Sequence, residues 1–150
     1  MIVYLDSSFV IRRLLGVGKP AEFWGKWEKA YASTLMRTEC FRAANHLRLN
    51  GQLDDAGRAR LGGWIETVCN AVTQIPVTDG IMKRASETYP VEVGTLQALH
   101  LATIQELESV HGVKCVLASD DGDLARAAKA LGISDALEEP ATGSASEMSK

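Results

Sequence analysis

Five carboxylates stand where short apolar runs give way to residues that start helices: Asp6, Glu39, Asp120, Asp121 and Asp123. Singly, each has a plain structural role, because Asp caps helix N-termini and Glu in a first turn complements the helix dipole. Together they behave differently. Like charges packed within ~4 Å repel by about 4 kcal/mol at an effective dielectric of 20. No Lys or Arg stands beside these acids at the expected strand ends, so the cluster calls for a counter-cation. Oxygen ligands without His or Cys suit Mg²⁺ or Mn²⁺ and not zinc. Such ions lower the pKa of a bound water, orient it for in-line attack on phosphorus and neutralise charge developing on the oxygens.

The elements that must position these acids alternate along the chain. Ile2 to Leu5 reads as a buried strand, with Asp6-Ser7-Ser8 offering caps to a short helix over Phe9 to Leu15, closed by Gly16. Pro20 is expected to start a helix carrying Phe23, Trp24 and Trp27, followed by a strand over Tyr31 to Thr34. Met36, Cys40, Ala43, Ala44 and Leu47 mark a helix ending near Asn50-Gly51, with Glu39 in its first turn. Asp54 can cap the next helix, whose inward stripe is predicted as Leu61, Trp64, Ile65, Val68 and Val72. Gly62 and Gly63 within it cost about 1 kcal/mol each relative to Ala. Gln74 to Val77 is a third strand, placed at an edge by Pro76. Thr78 or Asp79 starts a helix with Ile81, Met82 and Ala85 inward, stopped before Pro90. Thr95 to Val110 is apolar nearly all round at first, which puts that helix in the middle of the protein. Cys115 to Ala118 is a fourth strand, Leu124 to Leu131 a last helix ended by Gly132, and Ile133 to Leu137 a short final strand.

This alternation predicts a three-layer α/β/α sandwich around a central, mostly parallel sheet of four to five strands. Ligands in such folds bind beyond the carboxyl ends of the strands, where these acids converge. One domain is expected over residues 1–137, with a small, polar, disordered tail over 138–150.

Composition narrows the function classes. With 46% hydrophobic and 23% charged residues the chain is not intrinsically disordered. No apolar run is long enough to span a bilayer, and Met1 leads straight into Ile2-Val3-Tyr4-Leu5-Asp6 without a signal-peptide pattern, so a cytoplasmic location is expected. A net charge of −3 excludes nucleic-acid binding by overall field, so any such contact needs a local patch or a metal. Arg12, Arg13, Arg37, Arg42 and Arg126 are the candidates for meeting an RNA backbone. Cys40, Cys69 and Cys115 form no pair with ligand spacing and read as small buried hydrophobes. Trp24, Trp27 and Trp64 read as core or interface anchors.

Four segments in order resemble a known family. The opening Val3-Tyr4-Leu5-Asp6-Ser7-Ser8, the stretch Ser33 to Ala43 around Glu39, Thr95-Leu96-Gln97-Ala98-Leu99-His100-Leu101-Ala102, and Leu117 to Ala128 are similar to the four motifs of PIN domains. The likeness is particularly to the VapC-type toxin ribonucleases of toxin–antitoxin pairs. The resemblance implies an Mg²⁺- or Mn²⁺-dependent endoribonuclease acting on RNA, dimeric and silenced by a small antitoxin protein. Asp6, Glu39 and Asp121 would be catalytic and would ligate the metal, with Asp123 as an accessory metal-binding acid. Ser7 and Ser119 would support them, and Asp120 would be solvated. The departure is at the third acid, where this chain has Gln97, whose neutral carbonyl could still reach a metal. That substitution keeps a second reading open, a catalytically impaired module that binds RNA or a protein. An aspartyl-phosphate phosphatase or signal receiver would need an acid at position 8 or 7, and both are Ser. His100, one turn beyond Gln97, reads as a neutral imidazole satisfied in the interior.

Overall fold

The computed structural model describes residues 1–18 and 21–138. Four strands form one all-parallel sheet: β1 (Ile2–Leu5), β2 (Lys29–Ser33), β3 (Thr73–Ile75) and β4 (Val116–Ala118), in the spatial order β3-β2-β1-β4. Among the described residues six helices accompany them: α1 (Ser7–Leu14), α2 (Leu35–Leu49), α3 (Asp55–Ala71), α4 (Asp79–Ala85), α5 (Thr95–His111) and α6 (Gly122–Ala130). The pleat of the two central strands sorts the core into two layers. Val3, Leu5, Ala30 and Ala32 face α1, α2 and α3, whereas Tyr4 and Tyr31 face α5 and α6. The sheet is thus covered on both faces, as a parallel sheet must be.

Several sequence expectations change. The segment after Pro20, itself outside the described residues, turns at Phe23 to Gly25 instead of forming a helix. Gly25 has a positive φ of 74°, and Phe23 and Trp24 pack on the Phe9 ring with centroids 5.6 and 5.7 Å away. Aromatic burial outweighs helical propensity there. Ile133 to Leu137 supplies a single bridge, Leu117 to Asp135, and no strand. Pro76 follows β3, which is an edge strand. Apart from Glu138, the tail lies outside the described residues. Met82 is exposed instead of inward, as is Trp64.

Trp64 points out because α3 buries Leu61, Ile65 and Cys69 and presents Gly62 to α2. A Cβ at Gly62 would meet Phe41 at 3.3 Å, so its glycine allows the two helices to approach. Gly63 has nothing within 4 Å of such a Cβ. Gly63→Ala should therefore stabilise by about 0.5–1 kcal/mol, roughly 2–4 °C in Tm, because only the entropy term remains. Thermal melts of Gly63→Ala and Gly62→Ala check this, and equal shifts in the two would refute the distinction.

The three cysteines are buried and free. Burial pushes Cys40 up to about 12 and Cys115 up to about 11, so neither is a thiolate nucleophile. Among the described residues no helix is long and apolar enough to cross a membrane.

Candidate functional site

Asp6 holds the N-cap position of α1, yet its side chain makes no capping bond. Its backbone N–H continues the ladder to Ala118 at 3.0 Å, and its carboxylate, almost fully buried, turns to the sheet's carboxyl edge. Oδ2 accepts the hydroxyls of Ser8 at 2.5 Å and Ser119 at 2.9 Å. Those hydroxyls in turn accept the N–H groups of Asp120 and Asp121, each at 3.0 Å, and so tie the end of β1 to the end of β4. This leaves Oδ1 free to face the cavity, 3.6 Å from His100 Nε2.

Glu39 lies in the second turn of α2, not the first, so it does not complement the helix start. Its Oε1 is 2.8 Å from His100 Nε2, whose proton it accepts. The other ring nitrogen, Nδ1, meets the Tyr4 hydroxyl at 2.7 Å. One turn earlier on α5, Gln97 Oε1 accepts the Gly94 N–H at 2.8 Å and Gln97 Nε2 donates to Asp121 Oδ2 at 3.1 Å. Each end of the amide meets a group of the opposite kind, which sets its orientation. The carbonyl expected to reach a metal is therefore spent on the backbone. Asp121 Oδ1 caps α6 through the N–H groups of Asp123 at 3.0 Å and Leu124 at 3.2 Å.

Asp6, Glu39, Gln97, His100, Asp121 and Ser7 all line one cavity of about 470 Å³. One donor atom each from Asp6, Glu39 and His100 lie within 4.8 Å of one another, a spacing that a single cation can satisfy. Asp123 is not among the cavity's lining residues and pairs with Arg126 at 2.7 Å. Asp120, expected to be solvated, is mostly buried and faces Arg12 at 3.4 Å and Arg13 at 3.5 Å. Arginines therefore do stand beside two of the five acids, Asp120 and Asp123, although no Lys or Arg stands beside Asp6 or Glu39 among the described residues. Arg37 pairs with Glu66 and covers the Phe41 ring at 4.8 Å. Of the arginine candidates, only Arg42 has no ion-pair partner among the described residues.

His100 is the residue that sequence reasoning passed over. Burial alone would push its imidazole down, but the hydrogen bond and charge of Glu39, followed by the charges of Asp6 and Asp121, outweigh it and hold the group above its ordinary value. Without metal, its charged form stabilises the fold fully below the unfolded imidazole's pKa of about 6.5, and that contribution is lost as pH rises through the higher folded value. In chelator, wild-type stability should thus fall as pH rises above about 6.5, and His100→Gln should flatten the slope. Denaturant titrations across that range measure it; an unchanged slope in the variant would contradict the assignment. Tyr4 was also missed, although it precedes Asp6 by two residues and so shares its side of the extended chain.

No family model matches the sequence, and no curated protein does. Solved structures do match. The FitAB complex bound to an IR36 DNA fragment aligns at TM-score 0.66 and 16% identity, covering 93% of this chain and 98% of that one. PAE2754 from Pyrobaculum aerophilum aligns at 0.59 and 20% identity, over 90% and 84%. VapC20 of Mycobacterium tuberculosis, a sarcin-ricin loop cleaving toxin, aligns at 0.56 and 17% identity, over 85% and 95%. The chain has a PIN-like fold. Within this PIN-like fold, the four positions that the resemblance assigns to acids, Asp6, Glu39, Gln97 and Asp121, come from four different helix starts or helices and meet at one cavity.

Proposed function

We propose that this chain is a metal-dependent endoribonuclease, the toxin half of a toxin–antitoxin pair. The observation that carries the reading is the buried Asp6 carboxylate, aimed with Glu39 into a cavity at the carboxyl edge of the sheet and contacted by no Lys or Arg among the described residues. Capping does not account for it, because its side chain caps nothing. The donor set fits a divalent ion: Asp6 Oδ1 is unspent, and Glu39 and His100 stand around it. Such an ion, Mg²⁺ or Mn²⁺, would supply a water of lowered pKa and positive charge for the phosphate oxygens.

The chain's own residues do the rest. Ser8 and Ser119 fix the Asp6 carboxylate by donating to it, and Asp121 anchors the start of α6 at the cavity wall. Arg42, on the exposed side of α2 one turn beyond Glu39, would meet an RNA phosphate. A cytoplasmic location goes with this reading, as does an antitoxin partner.

The test is cleavage of single-stranded and structured RNA by purified protein with Mn²⁺ or Mg²⁺, abolished by chelator. Cleavage that survives chelator would overturn the metal reading. One observation favours the impaired-module alternative: Gln97 and the α6 cap occupy both oxygens of Asp121.

A homodimer is part of the proposal. Trp24 and Trp27 pack together at 5.4 Å within the chain, so of the three tryptophans Trp64 is the one left exposed for a partner copy. Light scattering should give twice the chain mass of 16.2 kDa, and a single-chain mass at micromolar concentration would refute the dimer.

A further inference from the structure

Resting on the metal-dependent reading, we infer that His100 binds the ion directly through Nε2, and that the site prefers Mn²⁺ and other transition-series divalent ions over Mg²⁺. The Gln97 amide oxygen accepts the Gly94 N–H and its amide nitrogen donates to Asp121, so these two bonds already set the side chain's direction. The α5 wall carries another donor atom, Nε2 of the residue a turn further along the same face.

His100 Nε2 stands 2.8 Å from Glu39 Oε1 and 3.6 Å from Asp6 Oδ1. Donor atoms sharing an ion with bonds of about 2.0–2.2 Å lie roughly 3–3.5 Å apart. The two separations from His100 are already close to that spacing, and all three donor atoms lie within 4.8 Å of one another.

The other side of the ring meets the usual requirement of a metal-binding imidazole, a partner that fixes its tautomer and orientation. Tyr4 is fully buried, and burial raises its hydroxyl well above the ordinary phenol value, so it remains a neutral O–H. Nδ1–H can donate to the Tyr4 oxygen across the 2.7 Å contact, so that Nε2, whose proton an arriving ion would displace, would turn its lone pair toward Asp6 and Glu39. The two rings also meet edge to face, with centroids 5.9 Å apart. The imidazole is only 2% exposed, so its direction is set by packing rather than by solvent.

The chemistry of the set then decides the ion. Four carboxylates would make a hard, highly charged oxygen site of the kind that suits Mg²⁺. Two carboxylates and an imidazole are less charged and softer, and bind Mn²⁺, Fe²⁺, Co²⁺ or Zn²⁺ in preference.

The experiment uses the full chain loaded with Mn²⁺. Pulsed electron paramagnetic resonance should show hyperfine coupling to one imidazole nitrogen, which changes to the ¹⁵N pattern when histidine is ¹⁵N-labelled. The other two histidines, His46 and His111, are exposed and outside the cavity. In His100→Gln the coupling should vanish, and calorimetry should show Mn²⁺ affinity reduced by about tenfold or more, with Mg²⁺ affinity changed far less. If His100→Gln does not fold, the isotope comparison on the wild type decides alone. Mn²⁺ bound and RNA cleaved without nitrogen coupling would overturn the ligand assignment and leave the nuclease reading standing. No Mn²⁺ or Mg²⁺ bound by the wild type would overturn both.

Discussion

Asp6→Asn should abolish RNA cleavage and, with it, the rise in melting temperature that Mn²⁺ gives the wild type. Ion binding at a hundred times Kd stabilises a fold by about 2.7 kcal/mol, roughly 5–10 °C for a chain of this size. The substitution keeps the shape of the side chain and removes one charge from a place where two carboxylates face one imidazole. The attraction between a divalent ion and a carboxylate at ~4 Å is several kcal/mol at an effective dielectric of 20, before desolvation is subtracted. A net loss of about 3 kcal/mol would be over a hundredfold in affinity. Differential scanning fluorimetry and an RNA cleavage assay read both effects. A structural Asp would behave otherwise, costing stability in chelator and leaving the Mn²⁺ response intact; that pattern would overturn the role.

Gln97→Asp should act in the opposite sense. Asp is a methylene shorter than Gln, so the variant loses the bond to the Gly94 N–H and the donation to Asp121. Without metal it should be less stable, because a new carboxylate then faces Asp121 and the sheet edge with no counter-charge. With Mn²⁺ the order should reverse, since the ion gains a ligand charge and Asp121 Oδ2 is released. Even one net kcal/mol is about fivefold in Mn²⁺ affinity, and RNA cleavage should rise with it. Combining it with Asp6→Asn should remove the gain. If wild type and Gln97→Asp are equally inert on RNA with Mn²⁺ present, the nuclease reading fails and the impaired-module reading takes its place.

The parts of the site that were legible in the sequence are those whose signal is local. Asp6 ends an apolar run, and Asp121 opens a helix three residues after a strand, so both could be placed from neighbours alone. Glu39 was placed correctly on α2 but a turn too early, because Thr34 to Met36 can be divided between strand and helix in more than one way. His100 was not legible as a site residue. A lone histidine on an apolar helix carries no ligand spacing, and its partners Tyr4 and Glu39 lie 96 and 61 residues away in sequence. Asp120 was misread for the same reason, since only the turn of α1 brings Arg12 and Arg13 onto it. In the fold, the strands and long helices followed from their periodicity. The aromatic loop at Phe23 to Trp27 did not, because the spacing of three aromatics fits a helix face and a packed turn equally well.

The central position of β1 has a consequence for when the site can exist. Its first neighbour, β2, emerges from the ribosome soon after it, but its second neighbour, β4, is more than a hundred residues downstream. Until β4 docks, Ser119 cannot reach Asp6, and α6 has no strand end from which to start. A chain still being translated therefore carries Asp6 without its second clamp and without the Asp121 wall, so the cavity is completed only after β4 has emerged. On the proposed nuclease reading, a site completed by its longest-range contact would leave the nascent chain unable to attack the message and ribosome that are making it.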